Sequence, residues 1–241
     1  MNAVMDAADI LTPEALARAD APARRQAFIR FAVDTGVIGF GDFTLKSGRQ
    51  SPYFFNSGRF EDARALTLLG SFYAAAIVDS GIDFDVLFGP AYKGIPLAVA
   101  AGSALLRDHG KSPGIAYNRK EAKAHGEGGR IVGASLGGRV MLVDDVITAG
   151  TAIREVLPLI DDAGGKLCGV LTALDRQERG SGQLSAAAEL AAELDVPVLS
   201  IATLADLENW LGAIDDAALL ERVRNYRQRY GTDGSPAEVT P

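Results

Sequence analysis

Val140-Met141-Leu142-Val143-Asp144-Asp145-Val146-Ile147-Thr148-Ala149-Gly150-Thr151-Ala152 is the stretch on which the reading of this chain turns. Its apolar start, without polar alternation, is the pattern of a strand covered on both faces. Two acids end the run, and a turn of small residues opens a helix expected over Ala149–Ala163. That order sets two carboxylates at the C-terminal end of a strand, beside the free N–H groups of a helix start. Hydroxyls can donate to the acids, and a phosphate can accept from the N–H groups. A ribose phosphate presents both. Taken alone, the acid pair has a lesser alternative as a helix cap and dipole complement. Ala149 and Gly150, which let a ligand approach the backbone, and the hydroxyls of Thr148 and Thr151 favour the phosphate. No Gly-x-Gly-x-x-Gly turn is present, so the dinucleotide version of this geometry is excluded.

Outward from this segment, helix and strand patterns alternate. Expected strands are Asp85–Phe88, Gly114–Asn118, Arg139–Val143, Leu167–Leu174 and Val198–Ala202. Expected helices are Glu61–Ser80, Ile95–His109, Gln183–Leu194 and a C-terminal group reaching Tyr230. Repeated strand–helix units predict an α/β fold, a parallel sheet flanked by helices. Ahead of it, a helix from Pro22 to Thr35 stops at Gly36, and Val37–Asn56 alternates between glycines in the manner of antiparallel hairpins. This makes a small N-terminal hood over 22–60 and a core over 61–230, within one domain of 22–230. Residues 1–21 form an N-terminal appendage, with a short helix beginning at Thr12-Pro13-Glu14, and 231–241 read as a disordered tail.

The chain has 241 residues, 48% of them hydrophobic, enough for one sizeable core. Its net charge of −7 argues against coating nucleic acid or an anionic membrane, so a bound anion should meet a local basic island. Cys168 is the single cysteine and lies in an apolar strand, which excludes an intrachain disulfide and favours a packing role. Two histidines and one cysteine cannot build a His/Cys zinc cluster. The apolar stretches Leu66–Val78 and Ile95–Leu106 fall short of the roughly 20 residues of a membrane span. Met1–Ala8 lacks the basic start of a signal peptide, and a cytoplasmic location is expected.

Ligands of parallel α/β sheets bind outside the strands' carboxyl ends. Four strand ends here carry polar groups. They are Gly89-Pro90-Ala91-Tyr92-Lys93-Gly94, the run Arg119–Arg130, Asp144–Thr151, and Asp175-Arg176-Gln177-Glu178. Arg119–Arg130 is the basic island, with Arg119, Lys120, Lys123, Arg130 and His125, and its glycines suit a mobile loop that closes over a polyanion. In the hairpin region, adjacent Phe54 and Phe55 point to opposite faces, so one can be core while the other offers a flat ring.

Val143–Thr151 resembles the phosphoribosyl-diphosphate (PRPP) motif of the type I phosphoribosyltransferase family. Together with Leu45–Arg49, Ser51–Asn56, Gly89–Gly94, Arg119–Gly129 and Asp175–Glu178, the chain resembles the orotate-using members of that family over roughly Pro22 to Tyr230. The resemblance implies that Asp144 and Asp145 engage the ribose hydroxyls. Val146, Ile147, Thr148, Ala149, Gly150, Thr151 and Ala152 belong to the PRPP motif, with Thr148–Ala152 as the 5′-phosphate loop. Tyr92 and Lys93 would sit beside the diphosphate, and Arg119, Lys123 and His125 would reach it, with Lys123 and His125 as the catalytic pair. Lys46 and Lys120 would reach the neighbouring subunit's site in a homodimer. Phe54, Phe55, Thr148 and Arg176 would contact orotate. Mg²⁺ would be held mainly through the diphosphate, with no direct protein metal site.

The implied reaction is formation of orotidine 5′-monophosphate and diphosphate in pyrimidine synthesis. The residue types agree with it: a leaving diphosphate needs cations, and the fork of Arg176 suits a carboxylate. A purine or uracil enzyme would have no carboxylate for that fork, and a PRPP sensor without catalysis would not need a mobile cationic loop.

Overall fold

The computed structural model describes residues 10–45, 47–123, 129–148, 150–180 and 182–232, with the backbone alone for Ala122 and Lys123. Strands β3 (Val86–Gly89), β4 (Gly114–Lys123), β5 (Gly129–Gly133), β6 (Arg139–Asp144), β7 (Lys166–Asp175) and β8 (Val198–Thr203) form one sheet, in the order β5-β4-β3-β6-β7-β8. Five run parallel, as expected from their apolar runs. The sixth, β5, is antiparallel to β4 and caps the edge. It was not expected, and β4 runs past Asn118 to Lys123. The basic run is therefore in part a two-stranded ribbon. Its exposed arms pair through backbone, so no apolar periodicity marks them.

Side chains alternate across the sheet and divide the core in two. Leu87, Met141, Val143, Leu171, Ala173 and Ile201 belong to the larger half, which includes α2 (Ala21–Asp34), α3 (Ala63–Asp79), α4 (Gly94–His109), α7 (Leu204–Ala213) and α8 (Ala217–Tyr230). Val86, Phe88, Val140, Leu142 and Val170 belong to the smaller half, with α5 (Thr151–Asp162) and α6 (Ala186–Leu194). Val140–Val143 are fully buried, which is why that run shows no polar alternation.

Strands β1 (Ile38–Thr44) and β2 (Gln50–Phe55) pair antiparallel with Ile38 opposite Phe55. This hairpin packs with α2 as the expected hood. A short helix α1 (Pro13–Arg18) starts as read, with Thr12 accepting from the Ala15 N–H. It is not loosely attached: Ile10 and Leu16 are buried in the larger core. Arg24 bonds the carbonyls of Leu16 and Ala19 and pairs with Asp79 of α3. At the other end, Gly231 bridges to Glu178 and the Thr232 N–H donates to the Gln177 carbonyl. These two residues of the expected tail are thus bonded, and 233–241 lie outside the described residues, as do 1–9.

Candidate active site

The C-terminal ends of β3, β4, β6 and β7 converge with the hairpin. At the end of β6, Asp144 and Asp145 are both buried, at 9% and 6% exposure, which is unusual enough for acids to require partners. Asp145 has them: its Oδ2 accepts from Ser57 Oγ at 2.6 Å and from Lys93 Nζ at 2.7 Å. Asp144 Oδ1 accepts from the Asp145 N–H at 2.9 Å, and its backbone carbonyl accepts from Tyr73 Oη at 2.7 Å. Among the described residues, Oδ2 of Asp144 and Oδ1 of Asp145 receive no bond, so each acid keeps one oxygen for a ligand hydroxyl. Burial, then the charge of Asp145, pushes the Asp144 carboxyl up to about 6.

Beyond the acids the chain turns into α5. Gly150 takes φ +66°, a left-handed conformation, and a Cβ there would lie 3.1 Å from Leu190 and from Arg154. No side chain caps this helix start, which leaves its first N–H groups without side-chain partners, and the turn borders a cavity of about 240 Å³. Asp144, Val146, Ile147, Thr148, Gly150, Thr151 and Ala152 line that cavity, together with Ile153. Thr148, Thr151 and Ala152 are exposed, and Ala149 lies outside the described residues.

Gly89 and Gly94 shape the neighbouring turn. A Cβ on Gly89 would meet the Gly94 carbonyl at 2.1 Å, so only glycine permits this close approach. The Ala91 N–H donates to Asn118 Oδ1 at 2.8 Å, tying this turn to β4. Tyr92 is 69% exposed, and Lys120 Nζ lies 5.4 Å from its ring centroid. Arg119 carries a buried Nη1 without a hydrogen-bond partner among the described residues, a donor that an anion would satisfy. Lys46 and His125 lie outside the described residues, as does the side chain of Lys123.

On the hairpin, Phe54 is 40% exposed and Phe55 is buried in the core. The free ring is that of Phe54, tilted against Phe43 at 5.6 Å, and Phe55 packs the hood. Arg176, at the end of β7, lies over the Tyr53 ring at 4.9 Å. Its Nε donates to Glu178 Oε1 at 2.7 Å.

Sequence reasoning missed Ser57, Tyr73 and Asn118. Ser57 directly follows the hairpin block, which was the available signal. Nothing local marks Tyr73 or Asn118, whose polar atoms find their partners only through the tertiary fold.

A strand-end acid pair, an uncapped helix start behind a left-handed glycine, and cations at the adjacent strand ends define a phosphoribosyl-binding α/β protein. The family model for the phosphoribosyl transferase domain matches residues 56–183. The orotate phosphoribosyltransferase of Pseudomonas aeruginosa is 58% identical over 207 residues, covering 85% of this chain and 96% of that protein. A crystal structure of the Francisella tularensis orotate phosphoribosyltransferase superposes with a TM-score of 0.78 at 38% identity, over 85% of this chain and 99% of that one. The Mycobacterium tuberculosis enzyme in complex with PRPP gives 0.57 at 25% identity, over 76% and 98%. The chain belongs to the orotate phosphoribosyltransferase family.

Proposed function

We propose that this chain transfers the 5-phosphoribosyl group of PRPP to orotate, giving orotidine 5′-monophosphate and diphosphate for UMP synthesis. The single observation that carries the reading is the Asp144–Ile153 cavity, which the buried Asp144 and the uncapped first turn of α5 line together. The ribose hydroxyls donate to Asp144 and Asp145. The 5′-phosphate accepts from the loop of Thr148–Ala152, where the helix start favours negative charge.

Orotate brings its nitrogen to the anomeric carbon already as part of an anionic pyrimidine, so the chain need not supply a strong base. The barrier lies in the leaving diphosphate and the cationic ribose. Arg119, Lys123 and His125 supply positive charge to the departing oxygens, and Lys123 contributes most in the transition state. Tyr92 and Lys93 lie beside the diphosphate. When PRPP binds, Lys93 shifts part of its interaction from Asp145 to these oxygens. Phe54 offers its ring to the base, Thr148 lies beside it, and Arg176 takes its carboxylate.

The residues fit an Mg²⁺ ion held mainly by PRPP. The diphosphate is itself a strong oxygen ligand, so the ion would need few ligands from the chain. Bound there, Mg²⁺ neutralises charge on the leaving group. We extend the proposal to a cytoplasmic homodimer in which Lys46 and Lys120 reach the neighbouring site. Exposed Tyr92, Val99 and Leu106, on α4 and the turn before it, support an association surface there. The catalytic domain spans 22–230, with the hood over 22–60, and 1–21 and 231–241 flank it.

The test is direct. Protein, Mg²⁺, PRPP and orotate are mixed and the loss of orotate absorbance is followed, with uracil and hypoxanthine as controls. Orotate turnover is expected. No turnover, or faster use of a control base, overturns the proposal.

A further inference from the structure

Arg176 is held by more than its own strand. Glu178 Oε1 accepts from its Nε at 2.7 Å and lies 2.6 Å from its Nη2. The same oxygen accepts from Tyr226 Oη of α8 at 2.7 Å. The other oxygen, Oε2, accepts from Arg49 Nη1 of the hairpin turn at 3.1 Å. Glu178 is thereby fixed from two sides and grips Arg176 along one edge of the guanidinium. Among the described residues Nη1 of Arg176 makes no hydrogen bond. The Arg176 and Glu178 side chains are 10% and 16% exposed, so neither is a loose surface group.

We propose that Glu178 is a positioning residue for base recognition, holding the Nε–Nη2 edge of Arg176 so that Nη1 is presented to the carboxylate of the substrate. This rests on the orotate reading above. An arginine side chain loses much rotamer freedom when it binds a planar anion. Fixing it beforehand moves that cost from binding to folding. The Tyr53 ring beneath the guanidinium sets its plane, and Glu178 sets its rotation within that plane. Arg49 offsets the charge of Glu178, which leaves the Arg176 cation available to a second carboxylate. The backbone repeats the arrangement: Arg49 Nη2 donates to the Arg179 carbonyl at 3.0 Å, and the Arg179 N–H to the Tyr230 carbonyl at 2.9 Å. Hairpin and C-terminal helix thus clamp the 176–179 segment between them.

The experiment compares steady-state kinetics of wild type, Glu178→Gln, Glu178→Ala and Tyr226→Phe, with thermal unfolding of each. Loss of a charge-assisted contact to Arg176 should raise KM for orotate by about tenfold or more in Glu178→Gln, and by less in Tyr226→Phe. KM for PRPP should stay within about twofold, since the phosphate cradle is untouched. Glu178→Gln is isosteric and guards against the case in which Glu178→Ala does not fold. Unchanged KM for orotate in Glu178→Gln overturns the inference. So does an equal rise in both KM values together with a lowered Tm, which marks a merely structural role. A wild type that does not turn over orotate overturns the proposed function itself, and this inference with it.

Discussion

Asp144 is an acid whose folded environment favours its neutral form. Its carboxyl, pushed up to about 6 by burial and by Asp145, titrates well above the ordinary value of 3.8. A raised acid pKa means that the folded state binds the proton more tightly than the unfolded chain. Its stabilising contribution is therefore full below the ordinary value and is lost as pH rises from there through about 6. Ligand binding runs the other way, because a ribose hydroxyl donates best to the ionised carboxylate. PRPP affinity measured by calorimetry should fall several-fold between about pH 7.5 and about pH 5. Asp144→Asn should weaken binding at the higher pH and flatten the profile. A profile as steep in the variant as in wild type would assign the titration to another group.

At the scale of elements, the β4–β5 ribbon carries Arg119, Lys120 and Lys123 on one arm and Arg130 on the other. Lys123→Ala should lower kcat by roughly two to three decades, with little change in Tm. Rapid-quench and steady-state rates near wild type would remove Lys123 from the chemistry. The elements differ in how far sequence reveals them. Strands β3, β6, β7 and β8 were legible because both faces are covered and their apolar runs admit no other packing. Helix α1 was legible from Thr12 and Pro13, but its burial was not, since Ile10 and Leu16 show no helical stripe long enough to declare a face. Strand β5 was hidden because its pairing is a backbone matter. The candidate site was legible wherever one segment supplies several groups, as in Asp144–Ala152. It was opaque wherever distant single residues meet, as Ser57 meets Asp145 and Tyr73 meets the Asp144 carbonyl.

At the scale of the molecule, the N-terminal segment is a brace on the core. Ile10 and Leu16 are buried, and burying side chains of this size contributes about 1.5–3 kcal/mol each. A chain starting after residue 21 should lose about 3 kcal/mol or more in urea unfolding and retain near-normal kcat, since α1 packs against α3 and α4 and contributes no residue to the lining of the Asp144–Ile153 cavity. Equal stability with and without the segment would refute the brace. Assembly is tested by mixing inactive Lys120→Ala and Asp144→Ala chains: recovery of activity in the mixed dimer is expected if each subunit lends Lys120 to its neighbour. No recovery would confine Lys120 to its own chain.

The two halves of the core have a consequence for how specificity can change. The proposed phosphate cradle rests on the smaller half, through Ile153 and Leu190, while the proposed grip on the base rests on the larger, through Tyr226 and Phe55. The sheet stands between them as a partition. Repacking one side can retune recognition of one substrate and leave the other anchored, so a lineage could exchange its base without relearning how to hold a ribose phosphate.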